Sequence, residues 1–460
     1  MRILHISTRL ILGGSQENTV LSCEGQAERG HNVHLAFGPI YGPEGSLLER
    51  VEKFRTRDGR GITTHVVPHM VRDVHPLNDA CAYRELRELV ERLRPDVVHT
   101  HSSKAGILGR IAAWRAMESD ESLRPDGSRH RLQNAAVIHT IHGPPFMPVE
   151  GSLLSRAKIA LSNTVYEVAE RLAADHCHTI VSVADAMTQQ FLARGIGTPS
   201  QYVTVRSGMD VEPFLHAAGG EDRATMRAAL GLSENDFVIG TVARLAQHKG
   251  HDDILDALAQ DLRQHPTLKL LWVGDGWWRE RLLCKALEMG IGVRELDREQ
   301  SGKAGKWESE NEEGIGRDVV LASPSHRVNV SPSHCPQLIL TGLVPPTRIP
   351  SLMRAMDVLA HPSYREGLPR TVPQALLAGV FPIAYDCDGT GEVCVDMQTG
   401  RLVPTGNVDA LRAAINWSFE HPAERRAMTA VGQQRCAKDF STDAMVEGLE
   451  EVYEWALRRR

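Results

Sequence analysis

The feature that most constrains this fold is a rhythm. Short apolar runs alternate with helical stretches along almost the whole chain, in two successive series. In the first, Ile3-Leu4-His5-Ile6, Val33 to Phe37, Asp96 to Thr100, Ala136 to Ile141, Thr179 to Val183 and Tyr202 to Val205 read as strands. Helices from Gln16 to Arg29 and from Tyr83 to Leu93 fall between them, with Gly30 and Pro95 as stops. Strands alternating with helices require a parallel, doubly wound α/β sheet. Ser207 to Glu221, with Pro213, Gly219 and Gly220, breaks the rhythm. A second series follows: Phe237 to Val242, Leu268 to Val273, Leu338 to Leu340, Asp357 to Ala360 and Phe381 to Tyr385. The expected architecture is two Rossmann-like domains, residues 1–206 and 223–440, joined by a linker at 207–222 and facing across a cleft. Ligands of open α/β sheets bind at the carboxyl ends of strands.

One stretch departs from the pattern. Asp297 to Arg317 is charged and rich in Gly, Ser and Glu, and Ser323 to Pro336 adds Ser, Pro and His. Residues 294–336 are expected to be a mobile insertion with a short strand at Val319-Val320-Leu321, because so polar a segment buries too little surface to offset its ordering entropy.

The formal charge of −6 argues against nucleic acid as a partner. No run is long enough to cross a bilayer, and Met1 to Ile6 reads as a strand rather than a signal peptide. Eight cysteines are scattered without a C-x-x-C pair, which fits reduced thiols and a cytoplasmic location. The run His176-Cys177-His178 does not read as a metal site, since adjacent residues point in different directions.

Several strand ends carry chemistry. Arg244 and Lys249 follow the strand at 237–242, where two cations can stabilise a diphosphate leaving group more in the transition state than in the ground state. Solvated loop charges are the bland alternative. Gly13-Gly14 lies between a strand and a helix, a place where backbone approaches phosphate, but the pair is not G-x-G-x-x-G. Glu366 can accept hydrogen bonds from sugar hydroxyls, the amides of Gly367 and Leu368 can face a ligand, and Gln374, about two helical turns on, can bond a ribose hydroxyl. As a bare helix-start acid, Glu366 would need no ligand. His142, before Gly143-Pro144, is placed to contact a transferred sugar or to be a satisfied structural histidine. His101, Ser102, Ser103 and Lys104 read as acceptor-side or turn residues. Asp386-Cys387-Asp388 has metal-binding D-x-D spacing, but Gly389 favours a turn. With Arg244 and Lys249 as counter-ions, neither a metal nor another cofactor is expected.

Taken together, these segments resemble glycosyltransferase family 4 over nearly the whole chain. The run Pro95 to Gly106, the run Ile138 to Gly143, the pair Arg244 and Lys249, and Ser363 to Pro369 as the start of an E-x7-E motif carry the likeness. The second glutamate of that motif is Gln374 here; glutamine keeps an acceptor oxygen and loses the charge. The resemblance implies the two-domain GT-B fold, with the C-terminal helix 441–460 crossing back to the first domain. It implies a retaining transfer from a nucleotide-sugar donor to a glycan or lipid-linked acceptor, and peripheral contact with the inner membrane surface if the acceptor is a lipid. In that scheme the departing phosphate helps to deprotonate the acceptor, Glu366 and His142 hold the sugar, and Arg244 and Lys249 hold the diphosphate. Two rivals remain at this stage: a nucleotide-sugar epimerase of the same fold, and a non-catalytic sugar-nucleotide binding protein.

Overall fold

The computed structural model describes residues 1–40, 45–119, 135–146, 153–219, 221–296 and 336–459. The chain divides into two compact units, Met1–Met209 with Asp439–Arg460, and Asp210–Lys438.

The first unit is built on seven parallel strands: β1 (Arg2–Ser7), β2 (Asn32–Phe37), β3 (Thr63–Val66), β4 (Val97–His101), β5 (Ala136–Ile141), β6 (Thr179–Ser182) and β7 (Tyr202–Thr204). Their order is β3-β2-β1-β4-β5-β6-β7, so the winding reverses between β1 and β4. The central strands are buried along almost their whole length because both faces are covered. Leu4, Val98 and Val137 pack on one face with Leu86, Val90 and Ala112. Their chain neighbours Ile3, Val97 and Ile138 point to the other face, against Val446, Leu449 and Tyr453. Those last three belong to the C-terminal helix Thr442–Arg458, which therefore completes the first unit, as the family resemblance implied. Its approach to the helix Gly14–Glu28 needs a glycine: a Cβ on Gly25 would lie 2.6 Å from Val446 Cγ2.

The second unit repeats the scheme with β8 (Phe237–Val242), β9 (Leu268–Val273), β10 (Val293–Glu295), β11 (Leu338–Leu340), β12 (Val358–His361), β13 (Phe381–Asp386) and β14 (Arg401–Pro404). The order β10-β11-β9-β8-β12-β13-β14 puts the reversal between β8 and β12. Asp357 fixes that junction. Its carboxylate accepts from Arg223 Nη2 and Arg227 Nη2, each at 2.7 Å, and from the Val238 amide at 2.8 Å.

The structure corrects the sequence reading in three places. Strands β3, β10 and β14 were not expected. The helix ending at Leu93 begins at Pro76, not near Tyr83, because Pro76 occupies its first turn and His75 Nδ1 accepts from the Asn78 amide at 3.3 Å. Residues 294 and 295 continue β10 rather than opening an insertion. Residues 297–335, including the strand read at 319–321, lie outside the described residues. Among the described residues no helix is long and apolar enough to cross a membrane.

Candidate active site

In both units the chemistry-bearing residues fall where the winding of the sheet reverses, which is where open α/β sheets bind ligands. In the second unit, β8 runs into a loop that ends in a single 3-10 turn, Gln247–Lys249. Gly250 closes that turn with φ 68°, and a Cβ there would sit 2.0 Å from the Pro362 carbonyl. Only glycine lets the loop after β8 lie against the loop after β12. The contact is stitched by the Tyr364 amide and the Ser363 hydroxyl, which donate to the His248 carbonyl at 2.8 and 3.2 Å. Across this seam Lys249 Nζ donates to Glu366 Oε1 at 2.5 Å, and His361 Nε2 lies 3.1 Å from the same oxygen. The loop after β13 supports the pair: Asp388, left-handed at φ 47°, accepts from the Glu366 amide at 2.7 Å, and the Gly389 amide donates to the Gly367 carbonyl at 3.0 Å.

Burial alone would push the Glu366 carboxyl up. Lys249 and His361 outweigh it and hold the group well below the usual carboxylate range. Burial, helped by Lys249, Arg365 and Arg244 and opposed by Glu366, brings His248 down to about 4. The site is thus a fixed carboxylate among cations with a neutral imidazole beside it. Arg244 is exposed, its guanidinium 5.5 Å from the centre of the Trp277 ring. Leu368 is buried. Gln374 is half-buried and only the fourth residue of the helix Thr371–Leu377, so it stands about one turn in, not two. His248 and His361 were not singled out as ligand-site groups by the sequence. Asp388 serves the loop as a turn residue, the alternative weighed for D-x-D.

In the first unit, Gly13 precedes the helix Gly14–Glu28 with an extended backbone, and a Cβ on it would meet Gln16 Oε1 at 2.7 Å. Gly13 thus leaves room for the Gln16 side chain to fold back over the start of the helix. After β4 the chain turns at Ser102, left-handed at φ 63°, whose hydroxyl lies 2.7 Å from Thr8 Oγ1 in the loop after β1. Ser103 opens the helix Ser103–Ser119, and Lys104 Nζ is held by Asp79 Oδ1 at 2.7 Å and by the Asp73 carbonyl. His101 is fully buried between His5 and His142. Of the cluster read as acceptor-side or turn residues, His101 is thus buried, while Ser102 and Lys104 make contacts that hold the loop. His142, half-buried at the end of β5, places Nε2 3.1 Å from His101 Nδ1. The side chains of His176, Cys177 and His178 take separate partners: the Leu172 carbonyl, the Val137 and Thr179 carbonyls, and the Val137 amide.

Four histidines of this unit, His5, His99, His101 and His139, are fully buried, and burial is the largest cause lowering each pKa, to about 4 for His5. A group neutral in the fold and titrating near 6.5 when unfolded contributes nothing above pH 6.5. Below that the unfolded chain takes up protons that the folded chain refuses, so stability falls as pH falls. Each histidine costs about 1 kcal/mol per pH unit over that window. The thermal midpoint is expected to drop steeply between about pH 6.5 and pH 5, before carboxylates such as Glu366 begin to protonate in the unfolded chain. A midpoint that stays level from pH 7.5 to 5.5 contradicts this.

The comparisons with known proteins point one way. Residues 13–208 match the family model for a Glycosyl transferase 4-like domain. Residues 222–294 and 336–435 match the model for Glycosyl transferases group 1, and the gap in that match coincides with the stretch read as an insertion. The Escherichia coli UDP-Gal:alpha-D-GlcNAc-diphosphoundecaprenol alpha-1,3-galactosyltransferase is 22% identical over 90% of this chain and 87% of its own length. The D-inositol 3-phosphate glycosyltransferase of Segniliparus rotundus is 25% identical over 82% of this chain and 71% of its own. Among solved structures, Anabaena Alr3699/HepE in complex with UDP and glucose shares the fold, with a TM-score of 0.69, 18% identity and 99% of each chain covered.

Proposed function

Because the chain belongs to the family-4 type of glycosyltransferase, with two Rossmann-like units of the GT-B fold, we propose that it transfers a sugar from a nucleoside diphosphate donor to a hydroxyl of a glycan or lipid-linked acceptor, with retention at the anomeric carbon. The observation that carries the assignment of roles is the Lys249–Glu366 pair at the strand ends of the second unit, with Arg244 in the same loop after β8 as Lys249. An incoming diphosphate competes for Lys249 and adds Arg244, while Glu366, still beside His361, is released to accept from sugar hydroxyls. Gln374 takes a ribose hydroxyl, the amides of Gly13, Gly14, Gly367 and Leu368 approach the donor, and His142 contacts the sugar.

In the step itself the bond from the anomeric carbon to the phosphate oxygen breaks. The acceptor oxygen bonds to the same face, and its proton passes to the departing phosphate. Fixed cations at that phosphate favour the transition state, in which its charge develops. They also supply the charge a divalent ion would bring, so we propose metal-independent turnover. We place the enzyme in the cytoplasm, with peripheral contact at the inner membrane surface where the acceptor is lipid-linked. The epimerase and non-catalytic readings find no support, since both matching family models and the relatives named above are glycosyltransferases.

A ligand that binds only the folded state raises the melting point by mass action, by about 2.7 kcal/mol of stability at a hundredfold excess over Kd. One of UDP, GDP or ADP is expected to raise the midpoint of this protein in EDTA as much as in magnesium, and the matching sugar nucleotide to give product of unchanged anomeric configuration by NMR. No shift with any of the three sinks the donor assignment. A shift only with magnesium sinks metal independence, and an inverted product sinks retention.

A further inference from the structure

The helix Leu153–Ala174 is apolar on two opposite faces. The inner face holds it to the first unit: Glu170 is buried against Arg110, Ala173 and Ala174 are buried, and Tyr166 packs on the cluster that contains Ile180 and Phe191. The outer face presents Leu161, Val165, Val168 and Leu172, which are 67%, 58%, 48% and 56% exposed. A helix face that meets only water is expected to be polar or charged.

The outer residues recur at intervals of four, three and four, the spacing of a coiled-coil seam. On a helix of 3.6 residues per turn they form a stripe only about 60° wide. The positions beside the stripe are mostly small and uncharged: Ala157, Ser162, Thr164 and Ala169. Thr164 Oγ1 donates to the Ala160 carbonyl at 2.9 Å, so its hydroxyl is satisfied within the helix. Arg171, on the same flank as Thr164, is drawn back onto its own unit, where Nε donates to the Arg194 carbonyl at 2.8 Å and Nη2 to Glu167. A second helix can therefore approach closely.

The two ends of the stripe say which helix. Lys158 precedes Leu161 by three residues, and Asp175 follows Leu172 by three, so both continue the seam, and both are exposed. The Asp175 amide still bonds the Arg171 carbonyl, at 3.4 Å, which keeps the helical path to that point. When two copies of this helix pair antiparallel, Val165 lies opposite the partner's Val168, Leu161 opposite the partner's Leu172, and Lys158 opposite the partner's Asp175. The four inner layers are apolar and each outer layer joins opposite charges. A parallel pairing would set lysine against lysine and aspartate against aspartate. The antiparallel arrangement is self-complementary, as a two-fold interface requires, and it also opposes the two helix dipoles.

We propose that this face is a homodimer interface: two copies of the chain associate through antiparallel packing of the helix Leu153–Ala174 about a two-fold axis near Val165 and Val168. A lipid surface would suit a broader apolar face with Trp or Phe and a rim of Lys and Arg, whereas this stripe is narrow, contains no aromatic residue and ends on Asp175. Four apolar side chains from each copy fall short of the roughly 800 Å² per partner of a standard interface, so the dimer is reversible and dissociates on dilution. The inference is independent of the donor and of the sugar transferred.

Sedimentation equilibrium of the full chain tests it, over protein concentrations of about 1–100 μM, where small interfaces dissociate. The wild-type protein is expected to show a monomer–dimer equilibrium. Val165→Glu with Val168→Glu sets like charges against each other and should weaken association more than tenfold, and since both residues are exposed the melting point should not change. Lys158→Asp and Asp175→Lys, each alone, should weaken it about fivefold, and the two together should restore it. A wild-type protein that is monomeric throughout overturns the proposal, as does a dimer that survives the two glutamates and so uses another surface. A double charge swap as weak as its single parents overturns the antiparallel register. A monomer that sediments with vesicles of anionic phospholipid, and loses them with the two glutamates, makes the stripe a membrane face and overturns the dimer. None of these measurements involves sugar transfer, so their failure is distinct from failure of the functional reading.

Discussion

Replacing Lys249 by alanine is expected to lower kcat by about 10²–10³-fold, the usual loss when one preorganised charge at a developing anion is removed. The drop belongs in kcat more than in KM, because negative charge on the leaving diphosphate grows as the bond to the sugar breaks. The same substitution removes a partner of Glu366, whose side chain is only 13% exposed. Leaving a mostly buried carboxylate with His361 alone costs roughly 1–3 kcal/mol of stability. The two effects separate. Lys249→Ala combined with Glu366→Gln relieves the stability loss and leaves turnover low, whereas Lys249→Arg keeps the charge and much of the rate. Lys285 is the control: in the same unit it pairs with Asp252 and Asp256, and Lys285→Ala should leave kcat within about twofold. If Lys249→Ala also stays within twofold of wild type, Lys249 is a structural counter-ion of Glu366 and nothing more.

That test bears on a pairing which the sequence only half discloses. Arg244 and Lys249 could be read as phosphate cations because they follow an apolar run that had to be a strand. Glu366 could be read the same way. What no linear reading shows is that Gly250 lets the two loops meet, or that Asp388 arrives from a third loop to hold the Glu366 amide. The fold has a similar division. Central strands such as β1, β4, β8 and β9 are covered on both faces, and nearly all their residues are buried. The three strands not read, β3 (Thr63–Val66), β10 (Val293–Glu295) and β14 (Arg401–Pro404), are all edge strands. An edge strand pairs on one side and packs less, so Thr-Thr-His-Val and Val-Arg-Glu carry no pattern that distinguishes them from loop. The packing together of His5, His99 and His139 was equally illegible, since they come from β1, β4 and β5 and lie tens of residues apart.

Glu170→Ala is expected to cost the first unit about 3–5 kcal/mol, the largest stability loss we anticipate from one side chain. Glu170 Oε2 accepts from Arg110 Nη2 at 2.5 Å, with side chains 2% and 0% exposed. Arg110 Nε donates to the Gly106 carbonyl at 2.8 Å, inside the same helix Ser103–Ser119. Among the described residues, removing Glu170 leaves a guanidinium in the interior with that one carbonyl as its hydrogen-bond partner. The pair also ties the helix that opens at Ser103 to the helix Leu153–Ala174, so its loss loosens the support of the loop after β4. For a unit of this size the melting point should fall by roughly 2–4 °C per kcal/mol, about 10 °C in all. The sign of the double replacement is the sharper test. Two ions taken out of water recover by mutual attraction little more than they lose in hydration, so Arg110→Met with Glu170→Leu should regain most of the stability that Glu170→Ala loses. Urea unfolding of the three proteins decides it. A double variant less stable than Glu170→Ala would mean that the ion pair contributes far more than its desolvation cost, and that the first unit depends on it as a source of stability rather than merely tolerating it.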